Sequence, residues 1–329
     1  MGLKPCFQVV ANGSDISQTI FQLFESISIT DKTGIESDTF EISLIDDPAQ
    51  PIAMPARGAE LLISMGYDDV LQPMGMFVVD EIELSGPPEK MIIRGHAAVQ
   101  TESKGGKTSL QSQKNRTWPK DTTIGSAVMK IAGEHNLTYM VSETLKKVKL
   151  PQLAQSDESD LSFLMRLAKR YDAICKPANG KLLFVKRGEI KLDPIELTRY
   201  QVGRWSMTRS SRDSTGTVIA YWHEKAKAKK HEIKLGEGEP VRRLRHHYPD
   251  EKSAQAAAQA ALDESKRNED KLSLELPGDP TFSAESLLAL SGFRDGIDGE
   301  WVIDSVTHTI NKSVGFSASL EALKNINEV

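Results

Sequence analysis

The fold is decided by a stretch near the end of the chain, LLALSGFRDGIDGEWVIDSV at residues 287–306, because the chain also contains an earlier copy of it. The earlier copy reads LLISMGYDDVLQPMGMFVVDEI and occupies residues 61–82. Both follow the pattern Leu-Leu-x-x-x-Gly-aromatic-x-Asp, then a loop, then Gly-x-aromatic-Val-aliphatic-Asp-x-aliphatic. The loop is two residues longer in the first copy, and another extended run follows each copy. β-Hairpins can look alike by chance, but here the glycines, aromatics and aspartates keep their order. We therefore predict two copies of one small β-domain.

Composition describes a globular protein of several domains. A chain of 329 residues has room for two or three hydrophobic cores. The net charge of −5 gives no basic field that would attract nucleic acid or anionic membranes. No apolar run approaches the ~20 residues of a membrane span, and the first residues lack a signal-peptide core, so we expect synthesis in the cytoplasm. Cys6 and Cys175 are too few for a disulfide framework or zinc site, which predicts buried free thiols.

Residues 1–99 are predicted to form an all-β unit. Apolar residues alternate from residue 19 to residue 30 and again from residue 39 to residue 45, as expected of half-buried strands. With strands at residues 7–11, 61–65, 76–84 and 91–97, the unit has six short strands and no predicted helix. Short strands separated by turn residues are typical of a β-barrel or sandwich.

Residues 100–190 are predicted to be an α+β insertion. Residues 101–116 carry four basic residues and read as a loop, and the GGKT sequence at 105–108 lacks the first half of a phosphate-binding loop. A helix is predicted up to His135, with Asp121 or Thr122 as its N-cap, and a hairpin at residues 173–186. A second helix is predicted at residues 157–171. One face of it carries the expected core residues Leu161, Leu164, Leu167 and Tyr171.

Residues 191–329 are predicted to form the second β-barrel. Strands are expected near residues 195–207, 216–222, 231–235 and 242–247, before the repeated element. An alanine-rich helix at residues 249–268, capped by Asp250, presents a thin face that would let it lie close on the barrel. The basic runs at 225–230 and 242–245 lack interleaved aromatics for base stacking, so a solvated or protein-facing edge is favoured over phosphate binding.

The sequence contains no motif of a known catalytic or metal site. The seven histidines show no ligand spacing, and no nucleophile elbow or dinucleotide fingerprint is present. Asp80 and Asp304 hold equivalent places in the two repeats. They could be read as paired catalytic carboxylates, but duplication favours one structural role that occurs twice, such as a turn hydrogen bond or a subunit contact.

Several motifs together resemble a known family. They are Trp118-Pro119 before a helix, the block ESDLSFLMRLA at 158–168, the alanine-rich helix followed by Gly278-Asp279, and the closing element at 299–306 with His308. They are similar to the late control D tail proteins of contractile phages and R-type pyocins, and to the VgrG spike proteins of type VI secretion. The resemblance covers nearly the whole chain, and the helix block is its most specific part.

The resemblance implies a trimeric baseplate hub with two related β-barrels per subunit, which adapts a three-fold spike to a six-fold tail tube and starts tube assembly. It implies no enzyme activity, no cofactor and no metal. The expected partners are two further copies of the chain, a separate spike protein, the tail tube protein, the tape measure protein and baseplate wedge proteins. VgrG proteins continue into a needle whereas this chain stops at Val329, so the spike is expected to be a separate polypeptide. The alternatives are a hub-associated cell-wall hydrolase and a ring-shaped nucleic-acid clamp. The sequence does not distinguish a phage from a pyocin.

The duplicated strands are the candidate tube-facing elements, because the two barrels must stay alike where they meet a six-fold partner. Shared core packing explains the duplication equally well. The candidate residues are Gly75, Phe77, Asp80, Glu81 and Glu83 in the first copy, and Gly299, Trp301, Asp304, Ser305 and Thr307 in the second.

Overall fold

A computed structural model describes residues 2–34, 37–49, 51–98, 109–178, 180–189, 193–210, 214–224 and 229–326. The strands are β1 Pro5–Ala11, β2 Ser14–Asp15, β3 Phe24–Lys32, β4 Thr39–Ile45, β5 Glu60–Tyr67, β6 Val70–Ser85, β7 Lys90–Ala97, β8 Gln113–Trp118, β9 Thr138–Val141, β10 Leu153–Ser159, β11 Ala173–Ala178, β12 Lys181–Lys186, β13 Ile195–Thr198, β14 Arg204–Arg209, β15 Thr217–Glu224, β16 Lys229–Gly236, β17 Val241–Tyr248, β18 Asp270–Pro277, β19 Leu287–Ser291, β20 Gly299–Asn311 and β21 Gly315–Lys324. The helices are α1 Ser17–Leu23, α2 Ile124–Glu134, α3 Glu143–Lys146, α4 Asp160–Tyr171 and α5 Glu251–Glu269. None of these helices has the length and apolar character needed to cross a membrane.

Thirteen strands from both ends of the chain form one continuous sheet, which makes the protein mostly β. Its order is β14-β18-β21-β20-β3-β4-β7-β6-β5-β1-β2, with β19 beside β20 and β13 beside β19. β3 of the N-terminal unit pairs antiparallel with β20 of the C-terminal unit. Within the described ranges, the pairings run as an open path and close neither unit into a barrel.

The N-terminal unit contains a helix where the sequence analysis predicted none. Residues 17–23 form α1, so the strand expected from residue 19 begins only at Phe24. The alternation was misleading because Ile20 and Phe24, which are four residues apart, are the buried pair, while Phe21 is 54% exposed. Phe21 and Phe24 lie against Phe7, with ring centroids 6.1 and 5.1 Å from its ring, so the helix covers the end of this core.

The insertion has its own core between helices and short strands. The hairpin β11–β12 lies where the sequence predicts it, and α4 ends at Tyr171 as predicted but begins three residues later, at Asp160. Residues 113–116 are part of β8, not of the expected loop, and β8 pairs with β10. Residues 101–108 of that expected loop lie outside the described residues. The N-cap of α2 is Thr123, not Asp121 or Thr122, because the Thr123 hydroxyl accepts a hydrogen bond from the Ser126 amide. Residues 156–159 belong to β10, and Ser159 caps α4.

The alanine-rich helix α5 packs mainly on a separate three-stranded sheet and makes smaller contacts with β18 and β21 of the large sheet. The three-stranded sheet has the order β16-β15-β17, and β17 pairs parallel to β15. Ala254, Ala258 and Ala261 of α5 contact Val218 and Ala220 of β15 in a small core. The Asp250 side chain accepts from the Ser253 amide at 2.8 Å, as the sequence predicts. The predicted strand at 195–207 is divided into β13 and β14 by a 3-10 turn at residues 199–201.

Candidate assembly interface

The two repeats occupy equivalent places in the large sheet. In the first, β6 is flanked by β5 and β7; in the second, β20 is flanked by β19 and β21. The match extends to single hydrogen bonds. Val79 donates to Ala59 O at 3.0 Å and accepts from Gly58, while Ile303 donates to Ser286 O at 3.0 Å and accepts from Glu285. The repeat is therefore present in the structure as well as in the sequence.

The structure corrects the alignment of the first repeated strand by one residue. Matching the double leucines places Leu61 with Leu287, but Leu61 pairs with Phe77 and it is Leu288 that pairs with Trp301. Leu61 and Leu288 are both buried. Because side chains alternate along a strand, burial decides the register, and the letter match does not.

Asp80 and Asp304 are both β-bulge residues. The pairing of β6 with β7 shifts between Val79 and Glu81, and that of β20 with β21 shifts between Ile303 and Ser305. A bulge reverses the alternation that follows it, so Trp301, Ile303 and Val306 all face the core. Asp80 contacts His96 Nδ1 at 2.6 Å, and Asp304 accepts from the Thr33 hydroxyl at 2.7 Å. Each aspartate therefore holds a bend in its strand.

The glycine and aromatic positions of the repeats support the same hairpin geometry. Gly75 and Gly299 have φ values of +146° and +117°, which side chains rarely adopt. Phe77 and Trp301 are buried, and the Trp301 indole donates to Ile297 O at 2.7 Å. These residues build the core side of each hairpin and are not available to a partner.

One side of β20 is a seam between the two units. Residues 305–311 pair with residues 26–32 of β3, and the hydroxyls of Thr307 and Thr30 are 3.0 Å apart. Asp304 O accepts from Thr33 N at 2.9 Å. Ser305 and Thr307 therefore lie on a strand that is already paired on both sides.

The equivalent side of β6 has no strand beside it among the described residues. β5 covers β6 only as far as Val78, so residues 81–85 form an edge where β20 has β3. This edge is acidic. Arg94 lies within 2.8 Å of Glu81, Glu83 and Glu41, so three carboxylates share one guanidinium.

The strand equivalent to β3 in the second unit is β14, and it forms the other edge of the sheet. Counting outward from β6, the strand order is β7, β4 and β3. Counting outward from the equivalent strand β20, it is β21, β18 and β14. In the described part of the chain, β14 pairs with β18 alone. This edge carries exposed arginines: Arg204 is 80% exposed, and Arg209, 67% exposed, contacts Asp270 at 2.7 Å. This equivalence was not predicted, since β14 has no sequence match to β3.

A partly buried charge cluster attaches the insertion to the seam. Lys176 of β11 lies 2.7 Å from both Asp31 and Asp38. Burial opposes ionisation of Asp31, but the Lys176 ammonium outweighs burial and lowers the pKa of Asp31. For Asp38, burial and the neighbouring Asp31 charge raise the pKa to about 6. Asp31 also accepts from Ala284 N at 2.9 Å, so three parts of the chain meet here.

The most specific family motif forms a structural network inside the insertion. Asp160 is fully buried and contacts Lys114, Arg116, His135 and Gln155. Burial raises its pKa, but hydrogen bonds from Gln155, His135 and Lys114 prevail and bring the pKa to about 2. Glu134, His135 and Asp160 are close enough to share a metal ion. However, Lys114 and Arg116 already contact both carboxylates, so the arrangement is a salt-bridge network.

The predicted core residues of α4 differ in their burial. Leu164 and Leu167 are fully buried, whereas Leu161 and Tyr171 pack at the edge of the same core. Phe163 is also fully buried and stacks on Trp118, with ring centroids 5.1 Å apart. Its position beside Leu164 hid it from a simple reading of the helix face, although the Trp118 motif lies directly against it.

Comparison with known proteins gives a consistent result. A family model described as phage tail baseplate hub (GPD) matches residues 106–314. A probable baseplate hub protein of Escherichia phage 186 is 32% identical over 99% of this chain and 95% of its own length. Among solved structures, the prophage MuSo2 43 kDa tail protein from Shewanella oneidensis has a TM-score of 0.73 at 14% identity and covers 97% of this chain and 98% of its own. An Escherichia coli type VI secretion component, described as similar to bacteriophage T4 gp27 and gp5, has a TM-score of 0.57 at 11% identity, covering 97% and 77%.

Proposed function

This chain belongs to the phage tail baseplate hub family, and from that premise we propose that three copies form a ring that joins a three-fold spike to a six-fold tail tube. Its relatives are structural baseplate hub proteins, so its role in the baseplate is structural and not enzymatic. The proposal rests on one observation: equivalent strand edges in the two units differ in whether another strand pairs with them. β20 has β3 beside it, while the matching edge of β6 and the free edge of β14 have no strand beside them in the described residues.

Pairing β14 of one chain with β6 of the next would repeat the β3–β20 seam between subunits. The strand registers equate Thr307 with Glu83 and Thr30 with Thr208, so Glu83 would face Thr208 of the next chain. Such a contact is heterologous, and heterologous contacts close into rings when the rotation allows. It would also cover two exposed edges that otherwise invite unwanted strand pairing. Three chains would then supply six similar β-units, each a barrel-like module of the ring.

Opposite edge charges favour this pairing over pairing of like edges. Glu81 and Glu83 lie on the β6 edge, whereas Arg204 and Arg209 lie on the β14 edge. Two β6 edges brought together would place carboxylates face to face, which is unfavourable. Charge of this kind selects the partner and orientation more than it adds affinity.

The same ring would present six similar hairpins, three of β6–β7 and three of β20–β21. A tube of six subunits can contact six near-equivalent hairpins, while a spike of three subunits contacts the true three-fold repeat. Residues 75–84 and 299–310, including Ser305 and Thr307, would face the tube or support the surface that does. The spike, tube, tape measure and wedge proteins would be separate chains, and the hub would be made in the bacterial cytoplasm and start tube growth.

Cysteine cross-linking tests the subunit contact. In a Cys6→Ser background, Glu83→Cys combined with Thr208→Cys should form a disulfide between chains in assembled particles, seen as dimers and trimers on a non-reducing gel. The matched control is Thr30→Cys with Thr307→Cys, whose hydroxyls lie 3.0 Å apart, and which should cross-link within one chain. Cross-linking of the control without any Glu83–Thr208 product would refute this interface.

A further inference from the structure

A large cationic cleft lies between the insertion and the C-terminal unit. Its volume is about 820 Å³, and its walls come from the end of α4, from α5 and from β17. Seven lysines and arginines line it against three carboxylates. In a chain with a net charge of −5, this concentration of positive charge is unusual. It identifies a place where an anionic partner would be attracted.

Part of the positive charge in the cleft is not neutralised by the chain itself. Arg267 contacts Asp172 at 2.6 Å and Arg242 contacts Glu264 at 3.4 Å. In contrast, Lys169, Arg170 and Arg245 have no ion-pair partner within the described ranges. These three side chains come from two different elements, α4 and β17, and line the same cleft.

Arg170 supplies a second, independent observation. Its Nη1 atom is buried and has no hydrogen-bond acceptor in the part of the chain that the structure describes. Its guanidinium lies 5.5 Å from the centre of the Tyr248 ring and covers one face of that ring. Buried donors are normally satisfied. Arg170 also lines the cleft, so a carboxylate or phosphate oxygen there would supply an acceptor once the side chain turns to expose Nη1.

The shape of the cleft favours a peptide over a single inorganic anion. Clefts of about 300–1,000 Å³ hold ligands of drug size, far larger than one phosphate. Ala257, Ala260 and Ala261 of α5 line one wall, so a main chain can approach closely. Single-stranded nucleic acid is disfavoured because it needs free aromatic faces for stacking. Tyr248 already faces Arg170, and His247 is stacked with Tyr221 and His223.

We propose that this cleft binds a carboxylate-rich peptide segment of a partner protein. The acidic side chains contact Lys169, Arg170 and Arg245, and the peptide backbone lies over the alanines of α5. The binding site is distinct from the β6 and β14 edges and does not depend on ring formation.

Binding of a fluorescein-labelled hexaglutamate peptide to the full chain tests the proposal by fluorescence anisotropy at low ionic strength. The cleft variant Lys169→Gln/Arg245→Gln should weaken binding by about ten-fold or more. The matched control, Lys234→Gln/Arg243→Gln, removes the same charge from exposed residues that do not line the cleft, and should change binding little. Arg170→Gln should also weaken binding. Because Arg170 is partly buried, circular dichroism checks that this variant protein folds.

Three results would overturn the proposal. They are no hexaglutamate binding at low salt, equal losses in the cleft and control variants, and tighter binding of an oligothymidylate than of hexaglutamate. A fourth result would also overturn it. If inorganic phosphate displaced hexaglutamate while the ionic strength was held constant, the cleft would be assigned to a small anion instead.

Discussion

At the scale of single residues, the motif that is most specific to the family supports the insertion through ring stacking and buried hydrogen bonds. Trp118 stacks on Phe163 and donates to Gln155 Oε1 at 3.2 Å, and Gln155 donates to Asp160 at 2.9 Å. The Trp-Pro sequence and the helix block are thus one network, although they are some forty residues apart in the chain. Removing one member of a buried charged network is costly because its partners remain buried.

Leu164→Ala should destabilise the protein by roughly 2–5 kcal/mol, because this side chain is fully buried in the insertion core. Chemical denaturation, monitored by tryptophan fluorescence, measures the change. Met129→Ala on α2 is the control, since Met129 is 49% exposed. A loss of under about 0.5 kcal/mol for Leu164→Ala would contradict the core assignment.

Asp38 should make stability depend on pH between about 4 and 6. Its pKa is raised to about 6 in the folded chain by burial and by Asp31, so the folded state holds the proton more tightly than the unfolded state. The stabilisation is therefore present below about pH 4 and is lost as the pH rises through about 6. Asp38→Asn should remove this decline in the free energy of unfolding. An unchanged pH profile in the variant would show that Asp38 is not its source.

At the scale of elements, the sequence identified the repeat but not its consequences. The β5–β6 and β19–β20 pairs were predicted from matched letters, yet the register of the first strand was wrong by one residue because burial, not the double leucine, decides it. Helix α1 was missed because its apolar residues also alternate. The equivalence of β14 with β3 could not be seen at all, since it rests on strand order and pairing and not on shared residues.

Glu81→Lys with Glu83→Lys should leave the fold intact and block assembly. Both side chains are at least 46% exposed, so the monomer tolerates the change, but the β6 edge becomes basic like the β14 edge. Tube nucleation in a reconstituted tail assembly is the measurement. Glu143→Lys with Glu251→Lys, at exposed positions on α3 and α5, is the control of equal charge. Normal tube assembly by the edge variant would remove the β6 edge from the interface.

Ser305→Lys with Thr307→Lys should act differently from the β6 variant, although the positions are equivalent in the repeat. These residues lie on the seam with β3, so lysines would disturb an intrachain contact and reduce stability. A variant that folds normally but cannot nucleate a tube would place Ser305 and Thr307 on the tube-facing surface instead.

At the scale of the whole molecule, duplication gives one chain two similar β-units, each with one strand edge that has no partner in the described residues, namely residues 81–85 of β6 and the outer edge of β14. The first unit joins the second through β3 and β20, and the same contact made between chains would close a ring. The insertion is attached to that seam by Lys176, which contacts both Asp31 and Asp38. The family and the mostly-β class with helices could be predicted from the sequence; the open sheet, the seam and the free edges required the structure.

An electron cryo-microscopy map of the assembled baseplate tests the central claim most directly. The account predicts three copies of this chain in one ring, with β14 of each chain hydrogen-bonded to residues 81–85 of the next and Glu83 opposite Thr208. A ring of any other copy number, or a three-fold ring in which these two edges face solvent, would contradict it.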